Sequence, residues 1–286
     1  MKLGTIRKSF DRIADRYDHH AALEQEVCER LIERTEFRRH DPGRILDLGC
    51  ATGSGSAALK KLFRKAQVIG LDASEAMLSY TRNRSSLLRP LRPVCADLSA
   101  LPFSERSADL VFSNLASYWC PEPMAMFSEI RRVMRPDGMF IFSTLGPASL
   151  LELRDAWAVV DQRVEVPVFA DLLEIGDALM AAGFSAPVMD LEKLTLSYPT
   201  LNAMFDELEA TGTSMLDRGW DLRASYGEDL EKAFAPLKVD GKYPLSFEVV
   251  YGTAFGPKDG QPRKTAGGDV ATFSVDALLK TRAGKI

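Results

Sequence analysis

Residues 45–58 read Ile45-Leu46-Asp47-Leu48-Gly49-Cys50-Ala51-Thr52-Gly53-Ser54-Gly55-Ser56-Ala57-Ala58. A short apolar run stops on a glycine, small residues follow, and helix formers continue to Phe63. Such a run, too short for a helix and bounded by glycine, predicts a buried strand that turns directly into a helix. The same unit recurs downstream. Residues 68–71 form an apolar run ending in Asp72, and Ser74 is placed to cap a helix carrying Met77 and Leu78. Residues 94–96 end in Asp97, and residues 109–113 end in Asn114. A helix over 124–134 closes on Arg135-Pro136-Asp137-Gly138, and a strand follows over 139–143. Strands alternating with helices at this rhythm predict an α/β, doubly wound, mostly parallel sheet covered on both faces.

Outside this core the pattern changes. Ile6, Phe10, Ile13 and Tyr17, then Leu23, Val27 and Leu31, recur at helical spacing before Asp41-Pro42-Gly43 interrupts. Beyond it, 150–160 and 171–182 read as helices, the second stopped by Gly183. Residues 188–196 alternate as a strand, and 200–242 hold helical segments broken by Gly212, Gly219, Gly227 and Pro236. Residues 247–255 read as a last strand, followed by a Gly/Pro/Lys loop over 256–268. The economical organisation is one domain over 1–286: an N-terminal helical lid (1–40), a cofactor-binding core (41–147) and an acceptor-side elaboration with the C-terminal strands (148–286).

Bulk properties narrow the class. With 46% hydrophobic and 27% charged residues the chain is an ordinary globular protein. A net charge of −4 gives no electrostatic footprint for nucleic acid as a main partner. Cys28, Cys50, Cys95 and Cys120 lack metal-ligand spacing, so no metal is expected and the thiols are expected to be reduced. No apolar run reaches the length of a membrane span and the charged N-terminus has no apolar stretch, so no membrane partner and a cytoplasmic location are expected.

In an open parallel sheet, ligands bind beyond the carboxyl ends of the strands, near the point where strand order reverses. Candidate site residues therefore follow each strand: Asp47, Gly49, Cys50 and Gly53 at the first, Asp72 and Ala73 with the nearby Met77 at the second, Asp97 and Leu98 at the third, Asn114 at the fourth. A carboxylate at 72 can accept two ribose hydroxyls; taken alone it can equally stabilise a helix dipole. Asp97 can accept from an adenine amine; taken alone it can equally shape a turn. Three acidic residues at three successive strand ends point to a nucleoside ligand. A nicotinamide or flavin dinucleotide is the competing ligand, because 53–58 fit G-x-G-x-x-A, but that match begins four residues past the first glycine, where the helix should already be starting.

These residues resemble a known family. Residues 45–53 resemble the first motif of class I S-adenosylmethionine-dependent methyltransferases, with Ala51 in place of the usual middle glycine. Residues 71–78 resemble the second motif, and 96–98 with 101–103 the third. A narrower resemblance runs through nearly the whole chain, to malonyl-acyl-carrier-protein O-methyltransferase of biotin synthesis. It is carried by Phe10-Asp11-Arg12-Ile13-Ala14-Asp15-Arg16-Tyr17-Asp18 with His20, by 113–116 with Trp119-Cys120, by 143–147 with 152–157, and by 175–190. Where that family usually has glutamine before the tryptophan, this chain has Tyr118, and the family's glycine-and-arginine segment is only loosely matched by 212–223. Several of the same blocks occur in a mitochondrial group of complex I assembly factors thought to hydroxylate arginine.

The resemblance implies a seven-stranded, Rossmann-like sheet with N-terminal helices and a helical insertion before the last strand. The cofactor is S-adenosylmethionine and the product S-adenosylhomocysteine. Gly49 and Gly53 approach the methionine part, Asp72 the ribose, Asp97 and Leu98 the adenine, and Tyr17 and His20 close over the cofactor. The implied acceptor is a malonyl thioester on acyl-carrier protein or coenzyme A. Its free carboxylate is already a nucleophile, so no general acid or base is assigned, and none of His19, His20 and His40 sits at an expected strand end. Arg154 is the candidate carboxylate anchor, with Arg218 and Arg223 next, and Tyr118 and Trp119 are expected to line the acceptor pocket. Arg82, Arg84, Arg89 and Arg92 form a basic stretch suited to an acidic carrier protein, or a solvated loop. The alternatives are a methyltransferase for another small carboxylic acid or a quinone precursor, and a hydroxylase-like assembly factor on the same fold.

Overall fold

The computed structural model describes residues 3–35, 41–160, 166–213, 227–257, 263–265 and 268–270. Three helices lead: α1 (Leu3–Ile13), α2 (Tyr17–His20) and α3 (Ala22–Thr35). The core then runs β1 (Arg44–Leu48), α4 (Ser54–Leu62), β2 (Gln67–Asp72), α5 (Glu75–Arg84), β3 (Leu91–Cys95) and β4 (Ala108–Ser113). A 3-10 turn (Ser117–Trp119), α6 (Pro123–Val133) and β5 (Met134–Leu145) follow. The remainder comprises α7 (Leu151–Val160), α8 (Leu172–Ala181), β6 (Ser185–Tyr198), α9 (Leu201–Ala210), α10 (Glu228–Phe234) and β7 (Tyr243–Phe255). The expected loop over 256–268 is corrected in part: Arg263–Thr265 (β8) pairs with Gly268–Val270 (β9) as a small hairpin.

Seven strands form one sheet in the order β3-β2-β1-β4-β5-β7-β6. Strands β1 to β5 pair in parallel, and β7 runs antiparallel to both β5 and β6. Strand order therefore reverses between β1 and β4, and the carboxyl end of β1 is where a crevice opens. Within β1 the side chains alternate between faces: Ile45 joins a core with Leu31 of α3, Phe112 and Trp157, whereas Leu46 and Leu48 join another with Ile130 of α6, Phe140 and Phe142. Burial on both faces is why this strand is apolar almost throughout. Edge strand β6 instead alternates between exposed and half-buried positions.

Helix ends follow local chemistry. Ser74 caps α5 by accepting the Met77 N–H, and Asp171 with Glu174 forms a reciprocal capping box at α8. Gly53, at φ +82°, precedes the first residue of α4. Gly55-x-x-Ala thus lies inside the helix rather than before it, and the dinucleotide match has no phosphate-binding turn. No helix among the described residues is long and apolar enough to cross a membrane.

Candidate functional site

The ends of four strands, β1 to β4, meet at the crevice. Asp72, the last residue of β2, accepts the Ala51 N–H on Oδ2 at 2.9 Å and the Ser74 N–H on Oδ1 at 2.8 Å. Its carboxylate is thereby fixed between the turns after β1 and β2. Burial raises its pKa, and the N–H groups of Ser74, Ala51 and Ala73 pull it back. Ala51, the departure from the family's glycine, takes a left-handed conformation at φ +47°. A non-glycine residue there costs roughly 1–2 kcal/mol, offset by the bond to Asp72.

The crevice has two chambers that share Tyr17 and Ala51. The first is floored by Gly49, Asp72, Ala73, Asp97 and Leu98, and roofed by Ile6 and Phe10 of α1 with Trp119. Phe10 and Trp119 meet edge to face, 5.0 Å apart. Asp97 accepts the Ser99 N–H on Oδ1 at 2.9 Å, which fixes the side chain and leaves Oδ2 as an acceptor. A largely apolar chamber with two carboxylates, Asp72 and Asp97, in its lining suits a nucleoside.

The second chamber is lined by Glu24, Asp47, Cys50, Asn114 and the first residues of α4, Ser54 and Gly55. Asp47 is buried and accepts the Ser56 hydroxyl at 2.5 Å; burial pushes its pKa up to about 7. Asn114 is engaged at both ends: Nδ2 donates to the Glu24 carbonyl at 2.9 Å, and Oδ1 accepts the Ser143 hydroxyl at 2.8 Å. It ties α3 to the ends of β4 and β5. The chamber's lining combines carboxylates with the N-terminus of α4, which suits a zwitterion.

Other expected site residues lie elsewhere. Gly53 lines neither chamber; a Cβ there would fall 2.7 Å from Thr81, so its smallness serves helix packing. Met77 is fully buried against Ile13 and Ala14. His20 also lies outside both chambers, and its charge acts on Glu207 of α9. Trp119, expected on the acceptor side, lines the nucleoside chamber instead. Tyr118 lines a separate cavity with Ser117, Thr144, Pro167 and Phe169, which meets the nucleoside chamber at Cys120. Arg154 lines none of these cavities: its guanidinium donates to the carbonyls of Pro147, Ser149 and Pro167 at 3.4, 3.3 and 3.0 Å. His40, Arg218 and Arg223 lie outside the described residues.

The basic stretch is divided. Arg82 pairs with Glu75, and Arg84 pairs with Asp18 and donates to the Thr52 carbonyl. Arg89 sits in the loop that feeds the starting end of β3, opposite the strand ends that form the crevice. Three lining residues of the leading helices were not named as site residues from the sequence: Ile6, Glu24, and Phe10, which opens the first block of the resemblance. The signal for Glu24 is spacing, since it shares the buried face of α3 with Cys28 and Leu31 at i+4 and i+7.

The sequence pattern of the family described as "Methyltransferase domain" matches residues 46–142. Malonyl-[acyl-carrier protein] O-methyltransferase of Gallionella capsiferriformans is 43% identical over 262 residues, 88% of this chain and 90% of that protein. The protein of that description from Halorhodospira halophila is 41% identical, over 97% of this chain and 95% of its own. Among solved structures, a putative methyltransferase from Bacillus halodurans superposes with a TM-score of 0.58 at 17% identity, covering 80% of this chain and 99% of that one. A Haemonchus contortus phosphoethanolamine N-methyltransferase complexed with S-adenosylhomocysteine gives 0.51 at 20% identity, covering 80% and 53%. At such identities the likeness is one of fold.

Proposed function

The chain belongs to the malonyl-[acyl-carrier protein] O-methyltransferase family, and from this premise we propose that it methylates the free carboxylate of a malonyl group on acyl-carrier protein, an early step of biotin synthesis, with S-adenosylmethionine as donor. The observation that carries the reading is the two-chamber crevice, acidic where ribose hydroxyls and an ammonium would lie, meeting a second cavity at Cys120. The pieces act as one methyltransferase domain. The four cysteines are free thiols, which suits a reducing cytoplasm.

The bound cofactor supplies an electrophilic methyl group on a sulfonium. The rest falls to the chain. Asp72 and Asp97 fix the nucleoside, and Phe10, Tyr17 and Trp119 cover it, excluding water. The acceptor carboxylate is ionised at neutral pH, so no proton needs removing before attack. Its cavity walls, with Phe127, Leu145, Phe169 and Ile175, strip water from it and align its oxygen with the methyl carbon. Glu174 is the only charged residue lining that cavity among the described residues, so no lining cation quenches the nucleophile.

The test is direct. Purified protein given S-adenosylmethionine and malonyl-carrier protein is expected to yield the carrier-bound malonyl methyl ester by mass spectrometry, with malonyl-coenzyme A as a parallel arm. A protein that binds the cofactor yet leaves both malonyl thioesters unmethylated sinks the assignment.

Arg154 enters this reading as the residue that straps 166–170, a wall of the acceptor cavity, against α7. Arg154→Met keeps the apolar stem and removes the donors. Turnover of malonyl-carrier protein is expected to fall severalfold, because the wall over 166–170 loses its anchor on α7, while cofactor affinity stays near parental. A parental methylation rate would show that the strap needs no such anchor.

A further inference from the structure

Glu24 is a carboxylate to which the nucleoside and acceptor sites give no work. It lines the second chamber, and its backbone carbonyl is pinned to the end of β4 by Asn114. Its Oε2 is shut off from solvent and has no hydrogen-bond partner among the described residues. An uncompensated buried oxygen is costly to keep, and a ligand that completes it removes the cost.

The groups around Glu24 define what that ligand must be. Tyr17 of α2, Tyr118 of the 3-10 turn, Tyr198 of β6 and Glu207 of α9 act on it or are acted on by it electrostatically. Asp18 of α2 and Asp47 of β1 line the same chamber, with Cys28 one turn further along α3 and Cys50 after β1, and Asp72 stands beyond Ala51. His20 lies behind Glu207. No lysine or arginine among the described residues lines the chamber. Asp47 already accepts the Ser56 hydroxyl, which leaves Glu24 as the carboxylate oxygen in need of a donor.

We infer that Glu24 is the counter-ion of the α-ammonium group of the bound cofactor, and that it releases its own proton to solvent as that ammonium enters. The inference rests on S-adenosylmethionine being the cofactor. The cofactor's α-carboxylate then faces Ser54 and Gly55 at the positive end of α4, so the chamber reads both ends of the zwitterion. Without ligand, burial and the Glu207 charge push the Glu24 carboxyl up to about 8, so at pH 7 it is mostly neutral. An adjacent ammonium favours the charged form, and the proton leaves. Ligand affinity therefore rises with pH until Glu24 ionises unaided.

The test is calorimetry at pH 7 in buffers of different ionisation enthalpy, with S-adenosylmethionine, S-adenosylhomocysteine and 5′-methylthioadenosine, which lacks the amino-acid tail. The parent protein is expected to release close to one proton with the first two ligands and none with the third. Its affinity for S-adenosylmethionine should climb by up to about tenfold per pH unit between roughly pH 6 and 8. Glu24→Gln should flatten that slope, cut the proton release to the fraction that Asp47 contributes, and weaken S-adenosylmethionine at least tenfold at pH 8, with 5′-methylthioadenosine affinity unchanged as proof of folding. Equal proton release and equal affinity in parent and variant overturn the inference and leave the cofactor reading standing. A parent protein that binds neither S-adenosylmethionine nor 5′-methylthioadenosine overturns both. Absence of proton release from the parent decides against the inference even if the variant fails to fold.

Discussion

Asp72→Ala is expected to weaken S-adenosylmethionine and S-adenosylhomocysteine alike, by a hundredfold or more. The carboxylate sits at the end of β2 in the floor of the nucleoside chamber, held in place by the N–H groups of Ala51 and Ser74. Those bonds fix the carboxylate and leave each oxygen a further lone pair to accept from a ligand. Each charge-assisted bond to a ribose hydroxyl is worth about 1.5–3 kcal/mol, so losing two costs about 3–6 kcal/mol, on the order of 10² to 10⁴ in affinity. The loss should be equal for both ligands, because they differ only at the sulfur. Asp72→Asn keeps the shape but removes the charge, and should fall between variant and parent. Calorimetry that finds unchanged affinity in a folded Asp72→Ala protein removes Asp72 from the site.

Gly49→Ala is expected to damage both stability and binding. Gly49 has φ +70°, and a Cβ there would lie 2.3 Å from the Ala116 Cβ. The left-handed backbone costs roughly 1–2 kcal/mol for a residue with a side chain, and the overlap roughly 1–3 kcal/mol more. The turn cannot simply move away, since the Gly49 and Cys50 N–H groups both donate to the Leu71 carbonyl, at 2.8 and 3.0 Å. The expected outcome is a clearly lowered melting temperature and at least a tenfold loss of cofactor affinity. Ala116→Gly in the same chain removes the overlap but not the backbone strain, so it should restore part of both. A single variant that melts and binds like the parent would show that the turn has no need of glycine at 49.

The contrast with Ala51 is instructive. The neighbouring turn residue is also left-handed, yet it carries a methyl group, and its N–H is held by Asp72. A motif position where glycine is usual is thus not always a position that requires glycine.

The order of strands and helices was legible because its signals are local. A buried strand flanked by glycine, a capping serine before a helix and a carboxylate closing a strand each lie within a few residues, and parallel topology then brings the strand ends together wherever they fall in the chain. Asp47, Asp72, Asp97 and Asn114 were visible on that ground. Boundaries were less legible: β5 begins at Met134, five residues before its apolar run, because Met134 pairs with Ala108 across a bulge. Edge strand β6 extends to Ser185–Tyr198 because pairing along β7, not its own hydropathy, sets its length.

The amino-acid sequence by itself determined the doubly wound sheet, the acidic strand ends and the nucleoside they suit, since all three follow from short-range pattern and one topological rule. Only the tertiary structure decided which side chains complete the site. Glu24 and Phe10 reach the crevice, Trp119 lines its first chamber, Tyr118 lines the cavity that meets that chamber at Cys120, and Arg154 turns two of its guanidinium nitrogens to backbone carbonyls. Those outcomes depend on how α1, α3 and α7 dock onto the sheet. That docking is set by burial and hydrogen-bond satisfaction among residues distant in sequence, such as Asn114 with Glu24 and Arg154 with Pro167.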